Sequence, residues 1–123
     1  MSTRSFIGYQ HNVGEFRGMY CHYDGYPSHV GAILAKHHSS FESLCEIVYG
    51  GQIRNFDNDG TIVRFGDEGD DNPESFVNLA EVLNDVYDYA YLFDQGENRW
   101  RCFERNRDLL IEEVNIPVNE LTV

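Results

Sequence analysis

Two things are scarce in this chain of 123 residues: long apolar runs and positive charge, with nine Lys and Arg against 21 Asp and Glu, a formal net charge of −12. No stretch approaches the roughly 18 apolar residues that span a bilayer, and Met1–Phe6 carries no apolar secretory core. A soluble protein of the cytoplasm with no membrane partner is expected. Cysteine is sparse too: Cys21, Cys45 and Cys102 are odd in number, lie far apart and form no C-x-x-C pair. That argues against a disulfide framework and a zinc ribbon and leaves reduced thiols as the expectation. There is no repeat, low-complexity tract or dividing linker, so residues 1–123 read as a single globular domain.

Catalytic signatures are also missing. The chain has no G-x-S-x-G elbow, no G-x-x-x-x-G-K-[ST] phosphate cradle and no H-x-x-x-H pair, so neither a catalytic residue nor a cofactor nor a metal site is assigned, and a non-enzyme is favoured. His29, His37 and His38 do not share a ligand spacing. Asp67-Glu68-Gly69-Asp70-Asp71-Asn72 lacks the register of a calcium loop.

What is present is acid in one place. Residues 1–56 hold four Lys or Arg and four Asp or Glu, a sum of zero. Residues 57–97 hold twelve acids against Arg64 alone, a net of −11, and residues 98–123 hold four arginines against five acids, a net of −1. A segment so acidic repels nucleic acid, whose binding rests on cations displacing counterions at phosphates. It reads either as solvated loop and helix face or as a surface that docks on a basic partner, with Asp67, Glu68, Asp70, Asp71 and Glu74 as the contact residues.

Local pattern gives an α+β domain. Ser5–Gln10 and Glu15–Tyr23 read as a hairpin across His11–Gly14. Pro27 and a Ser28 N-cap open a helix with Val30, Ile33, Leu34 and His37 on its buried stripe. A second helix is expected from a Ser39 cap with Glu42 at N3, burying Phe41, Leu44, Cys45 and Val48 before Gly50-Gly51. Thr61–Phe65 reads as a strand. Asn72 and Pro73 look like the start of a third helix burying Phe76, Leu79, Ala80 and Leu83. Tyr89–Phe93 and Arg99–Phe103 form a second hairpin, and Asp108–Val114 fits strand or helix. Grouped hairpins predict an antiparallel sheet with two or three short helices packed mainly on one face.

The most chemically dense stretch is Tyr20–Pro27. Strand alternation points Cys21 and Tyr23 one way and Tyr20, His22 and Asp24 the other, which rules against a Cys21–His22 dyad. Tyr20, His22, Asp24 and Tyr26 are the candidate lining of a ligand pocket; Asp24 either orients His22 or caps its own turn. Arg99, Arg101, Arg105 and Arg107 around Trp100 and Phe103 suit an anionic ligand, or else pair internally with the acidic segment.

Arg4-Ser5-Phe6-Ile7-Gly8, Tyr20-Cys21-His22-Tyr23-Asp24-Gly25-Tyr26-Pro27 and Val30-Gly31 together resemble a family of small bacteriophage and prophage proteins with an R-S-x-I-G, Y-C-H-x-D-G-Y-P, V-G pattern; Tyr89–Phe93 resembles the aromatic strand near the end of such proteins. The resemblance implies a phage-encoded accessory protein acting in the host cytoplasm and carries no established activity. With the acidic segment it suggests a protein that binds and inhibits a host macromolecule, such as a host protein with a basic nucleic-acid-binding groove. The alternatives are a ligand-binding or enzymatic domain centred on Tyr20–Pro27, and a structural or assembly protein of the virion.

Overall fold

A computed structural model of the chain describes residues 3–12, 14–65, 72–84 and 86–117. Eight strands form one open sheet, in the order β4-β3-β2-β1-β6-β7-β8 with β5 also on β2. The expected N-terminal hairpin is β1 (Ser5–Asn12) and β2 (Glu15–Cys21), antiparallel from Ser5–Cys21 outward. The expected C-terminal hairpin is β6 (Tyr89–Asp94) and β7 (Arg99–Arg105), extended by β8 (Ile111–Val114), so the ambiguous final segment is a strand. Asp94 Oδ1 holds the β6–β7 turn by accepting from Gly96 N at 3.0 Å and Glu97 N at 3.2 Å.

The two hairpins join through β1 and β6, which run parallel with Ser5 opposite Tyr89 and Gly8 opposite Leu92. This central seam is buried on both faces, which is why Tyr89-Ala90-Tyr91-Leu92-Phe93 is apolar throughout rather than alternating. Gly8 faces Gly18 across the β1–β2 ladder, and a Cβ on Gly8 would stand 2.0 Å from the Arg17 carbonyl oxygen. Only glycine fits there.

Alternation sorts the strand residues into two cores. On one face Ile7, Tyr9, Met19, Cys21, Tyr91, Phe93, Trp100 and Cys102 pack against Val30, Ile33, Leu34, Leu44, Ile47 and Val48 of the helices. Those helices are a π-helical turn (Pro27–Gly31) running into α1 (Ala32–His37), then α2 (Phe41–Tyr49). On the other face Phe6 and Ala90 pack beneath Val82, Leu83 and Tyr87. That smaller layer is built by β5 (Glu74–Phe76), which pairs with β2 at Phe16–Gly18, and by the one-turn helix α3 (Leu79–Val82). The class is α+β, with the longer helices together on one face.

Several local expectations are corrected. The first helix starts at Pro27 with Tyr26 as its N-cap, not at Ser28. α1 stops at His37, which stays exposed, and His38 turns inward to become buried. Ser40, not Ser39, caps α2, accepting from Ser43 N at 3.2 Å, while Ser39 Oγ donates to the Ala35 carbonyl. α2 buries Leu44, Ile47 and Val48, leaving Phe41 exposed. The helix expected from Asn72 is β5 followed by α3, whose cap is Asn78. β3 (Ile53–Phe56), parallel to β2 and antiparallel to β4 (Ile62–Arg64), was not expected at all.

Candidate functional site

Beyond Met19, β2 and the residue that follows it deliver Tyr20, Cys21 and His22 to alternate sides, as the sequence requires. Cys21 is fully buried under the helices, and desolvation pushes its thiol up to about 12, far from nucleophilic use at neutral pH. Cys102 is buried on the same face and likewise raised to about 12; all three cysteines are free. Tyr20 and His22 share the opposite face, where the Tyr20 hydroxyl meets His22 Nδ1 in a short hydrogen bond. Desolvation, aided by the nearby Arg4, lowers the His22 pKa, so the ring is held neutral and the phenol donates.

From this pair a row of rings runs both ways. The His22 ring lies 5.8 Å from Phe65 at the end of β4. The Tyr20 ring lies 5.9 Å from Tyr87, whose hydroxyl donates to Glu74 Oε1 in another short bond. Burial, then the Glu74 contact, raises the Tyr87 pKa, which keeps that phenol protonated as a donor. Phe65, His22, Tyr20, Tyr87 and Glu74 thus form a continuous row, with Phe65 and Glu74 flanking the segment 66–73. Both flanks of the most acidic stretch rest on one ordered strip of the sheet.

Of the residues expected to carry the interaction, Asp67, Glu68, Asp70 and Asp71 lie outside the described residues, and Glu74 is exposed at the start of β5. The structure describes seven acids between 57 and 97: Asp57, Asp59, Glu74, Glu81, Asp88, Asp94 and Glu97. Among them only Glu97 enters an ion pair, with Arg99 at 2.8 Å. The others that bond do so mostly with backbone N–H groups, as Asp59 does with Thr61, Glu81 with Val77 and Asp88 with Arg4. Their charge is not cancelled by arginine.

The expected pocket residues divide. Tyr20 and His22 come together, but His22 Nδ1 takes Tyr20 as its partner and not Asp24. Asp24 is exposed in the left-handed region at φ 58, and Tyr26 is exposed beside His29. Two cavities, of about 590 and 460 Å3, are lined by other residues. Of the expected arginines, Arg99 and Arg101 pair with acids of their own hairpin region, Glu97 and Glu113. Arg101 holds Glu113 through two bonds of 3.1 and 2.7 Å, and Arg105 donates to the Ala80 carbonyl. Among the described residues no three His, Cys, Asp or Glu side chains stand together as a metal would need, and no helix is long and apolar enough to cross a membrane.

Sequence reasoning missed one polar cluster. Tyr9 hydroxyl bonds both Tyr49 hydroxyl (2.6 Å) and His11 Nδ1 (3.2 Å), while Arg17 donates to Tyr49 (3.4 Å) and Glu15 (2.8 Å), and Ser75 donates to Glu15 (3.1 Å). Burial and the Tyr49 bond push Tyr9 up to about 12, so it works as a neutral bridge. The hairpin register sets Tyr9 opposite Arg17 and was readable; the arrival of Tyr49 from the end of α2 was not. The cluster ties β1, β2, α2 and β5 at one corner.

Comparison of the chain with protein-family models, with curated proteins and with solved structures found no match to any of them.

Proposed function

We propose that this chain is a phage-encoded, non-enzymatic accessory protein that binds and inhibits a host macromolecule through the acidic surface around residues 66–74. The observation that carries this reading is the row Phe65–His22–Tyr20–Tyr87–Glu74, which fixes both flanks of the acidic segment on the sheet. Holding the flanks reduces the conformational entropy lost on docking, so the charge between them serves a particular partner better than a free tail would. The partner that fits is a host protein with a basic groove, since acidic side chains attract it over distance and exclude nucleic acid.

The test is capture of host proteins on the purified chain at about 0.05 M and about 0.5 M salt, where screening shortens from long range to a few ångströms. One basic partner should be retained at low salt and lost at high salt. Changing Asp67, Glu68, Asp70 and Asp71 to Asn or Gln should weaken it about tenfold or more. Phe65→Ala should weaken it less, by loosening one flank. Retention that is indifferent to salt and to the four substitutions would sink the reading.

A further inference from the structure

The C-terminal hairpin leaves three features unmatched along one edge of the sheet. β8 ends the strand order and, among the described residues, pairs only with β7. At the hairpin tip Leu109 and Leu110 are 71% and 63% exposed. Leu109 also sits at φ 63, a left-handed conformation that costs a residue with a side chain about 1–2 kcal/mol and that glycine adopts freely. At the other end of the same hairpin, a mainly apolar cleft of about 590 Å3 opens beside Trp100, Val114 and Ile116.

One hydrogen bond settles which backbone groups of this edge are still available. Asn106 N donates to the Leu110 carbonyl at 2.8 Å, so Leu110 faces β7. By the alternation of an antiparallel ladder Glu112 and Val114 face β7 as well, opposite Glu104 and Cys102. The N–H and C=O groups of Ile111 and Glu113 therefore point away from the sheet, and the same alternation carried one step past the end of β8 would aim those of Asn115 the same way.

We propose that a second copy of this chain covers this edge, β8 pairing antiparallel with β8 about a two-fold axis through Glu113. In that register Glu113 meets Glu113 and Ile111 meets Asn115, each pair exchanging both backbone bonds, so every outward-pointing group on the strand is used. A register centred on Glu112 sets Asn115 against the turn residue Leu109. One centred on Val114 sets Ile111 against Pro117, which has no N–H.

The chosen register also accounts for the exposed Leu110 at the tip. Leu110 and Ile116 lie equally far on either side of Glu113, so Leu110 of each copy meets Ile116 of the other. Alternation puts Leu110 on the face of Val114 and Ile116, the side of the cleft, which fills with the leucine that was exposed. The axis does not oppose two bare carboxylates, because Arg101 already holds each Glu113. An isologous contact of this kind closes on itself and stops at two copies.

Two chains of net charge −12 repel, so this association strengthens as salt is added, opposite in sign to docking through the acidic segment. Sedimentation at about 0.1 mM protein in about 0.5 M NaCl should give a species of about 28 kDa, twice the 14.2 kDa chain. Leu110→Asp and Ile116→Asp should each return it to a monomer with unchanged far-ultraviolet circular dichroism. Asn115→Pro, which removes an outward N–H without touching the β7 ladder, should weaken it about tenfold and serves if the aspartates disturb folding. A monomer under these conditions overturns the proposal, as does a dimer that dissociates with salt or one that ignores all three substitutions.

Discussion

At the scale of single residues, strand alternation was the most informative signal. It separated Cys21 from His22 correctly, putting the thiol in one core and the imidazole against Tyr20 on the other face. Alternation could not say how the helix would end: α1 finishes at His37, and the chain leaves helical geometry at His38, whose ring turns inward while His37 stays exposed. His38 Nε2 bonds the Gly60 carbonyl at 2.7 Å, and its own carbonyl accepts from the Trp100 indole at 3.0 Å. Burial lowers its pKa below the ordinary value of about 6.5. The unfolded chain then binds the proton more readily, so the stability contributed by neutral His38 is full above about pH 6.5 and is lost as pH falls towards the folded-state pKa. His22, also lowered, adds to the same window. Unfolding midpoints should fall between about pH 7 and 5, at up to about 1.4 kcal/mol per pH unit for each proton taken up. His38→Gln should flatten that slope in denaturant titrations; an unchanged slope would show that the acid sensitivity lies elsewhere.

At the scale of elements, hairpins were legible and short connecting pieces were not. β3 escaped notice because a bulge between Ile53 and Asn55 shifts its register, so that Ile53 and Phe56, three apart, both reach the core and defeat a search for period two. Around Asn72-Pro73 the local signal for a helix was sound, but the outer edge of β2 at Phe16–Gly18 needed a partner, and β5 supplied it. Tertiary demand overrode propensity there. A related long-range dependence sets the end of α2. The Arg64 guanidinium reaches back from β4 to donate to the carbonyls of Glu46 and Gly51, both at 2.5 Å, closing a helix end that has no basic residue of its own in the last turn. Gly50 lies directly under it; a Cβ there would come within 2.3 Å of the guanidinium. Arg64→Ala should lower stability by about 2 kcal/mol, read as a shifted urea midpoint with little change in slope. The amides at the end of α2 should exchange faster while those of β6 do not. Uniform loss of protection would count against this capping role.

At the scale of the whole molecule, the uneven charge was visible from the start, but the sheet that distributes it was not. No local pattern announces that β1 will run parallel to β6, because both look like members of separate hairpins. With charge gathered in residues 57–97, and with only Glu97 of its described acids in an ion pair, self-repulsion works against the compact state and is relieved by screening. The melting temperature should therefore rise as NaCl goes from about 0.02 to about 0.5 M, measured at a concentration low enough to keep the chain monomeric. A fall would mean that ion pairs such as Arg101–Glu113 outweigh the repulsion. The β1–β6 seam has a further consequence, for synthesis on the ribosome. Ser5 and Tyr89 are partners 84 positions apart, so at roughly 5–20 residues per second β1 emerges about 4 to 17 s before the strand that must lie beside it. For that interval the first hairpin has an open inner edge in a crowded cell. The middle of the chain, with its concentrated negative charge, emerges while the edge is still open, a natural guard against aggregation between nascent chains.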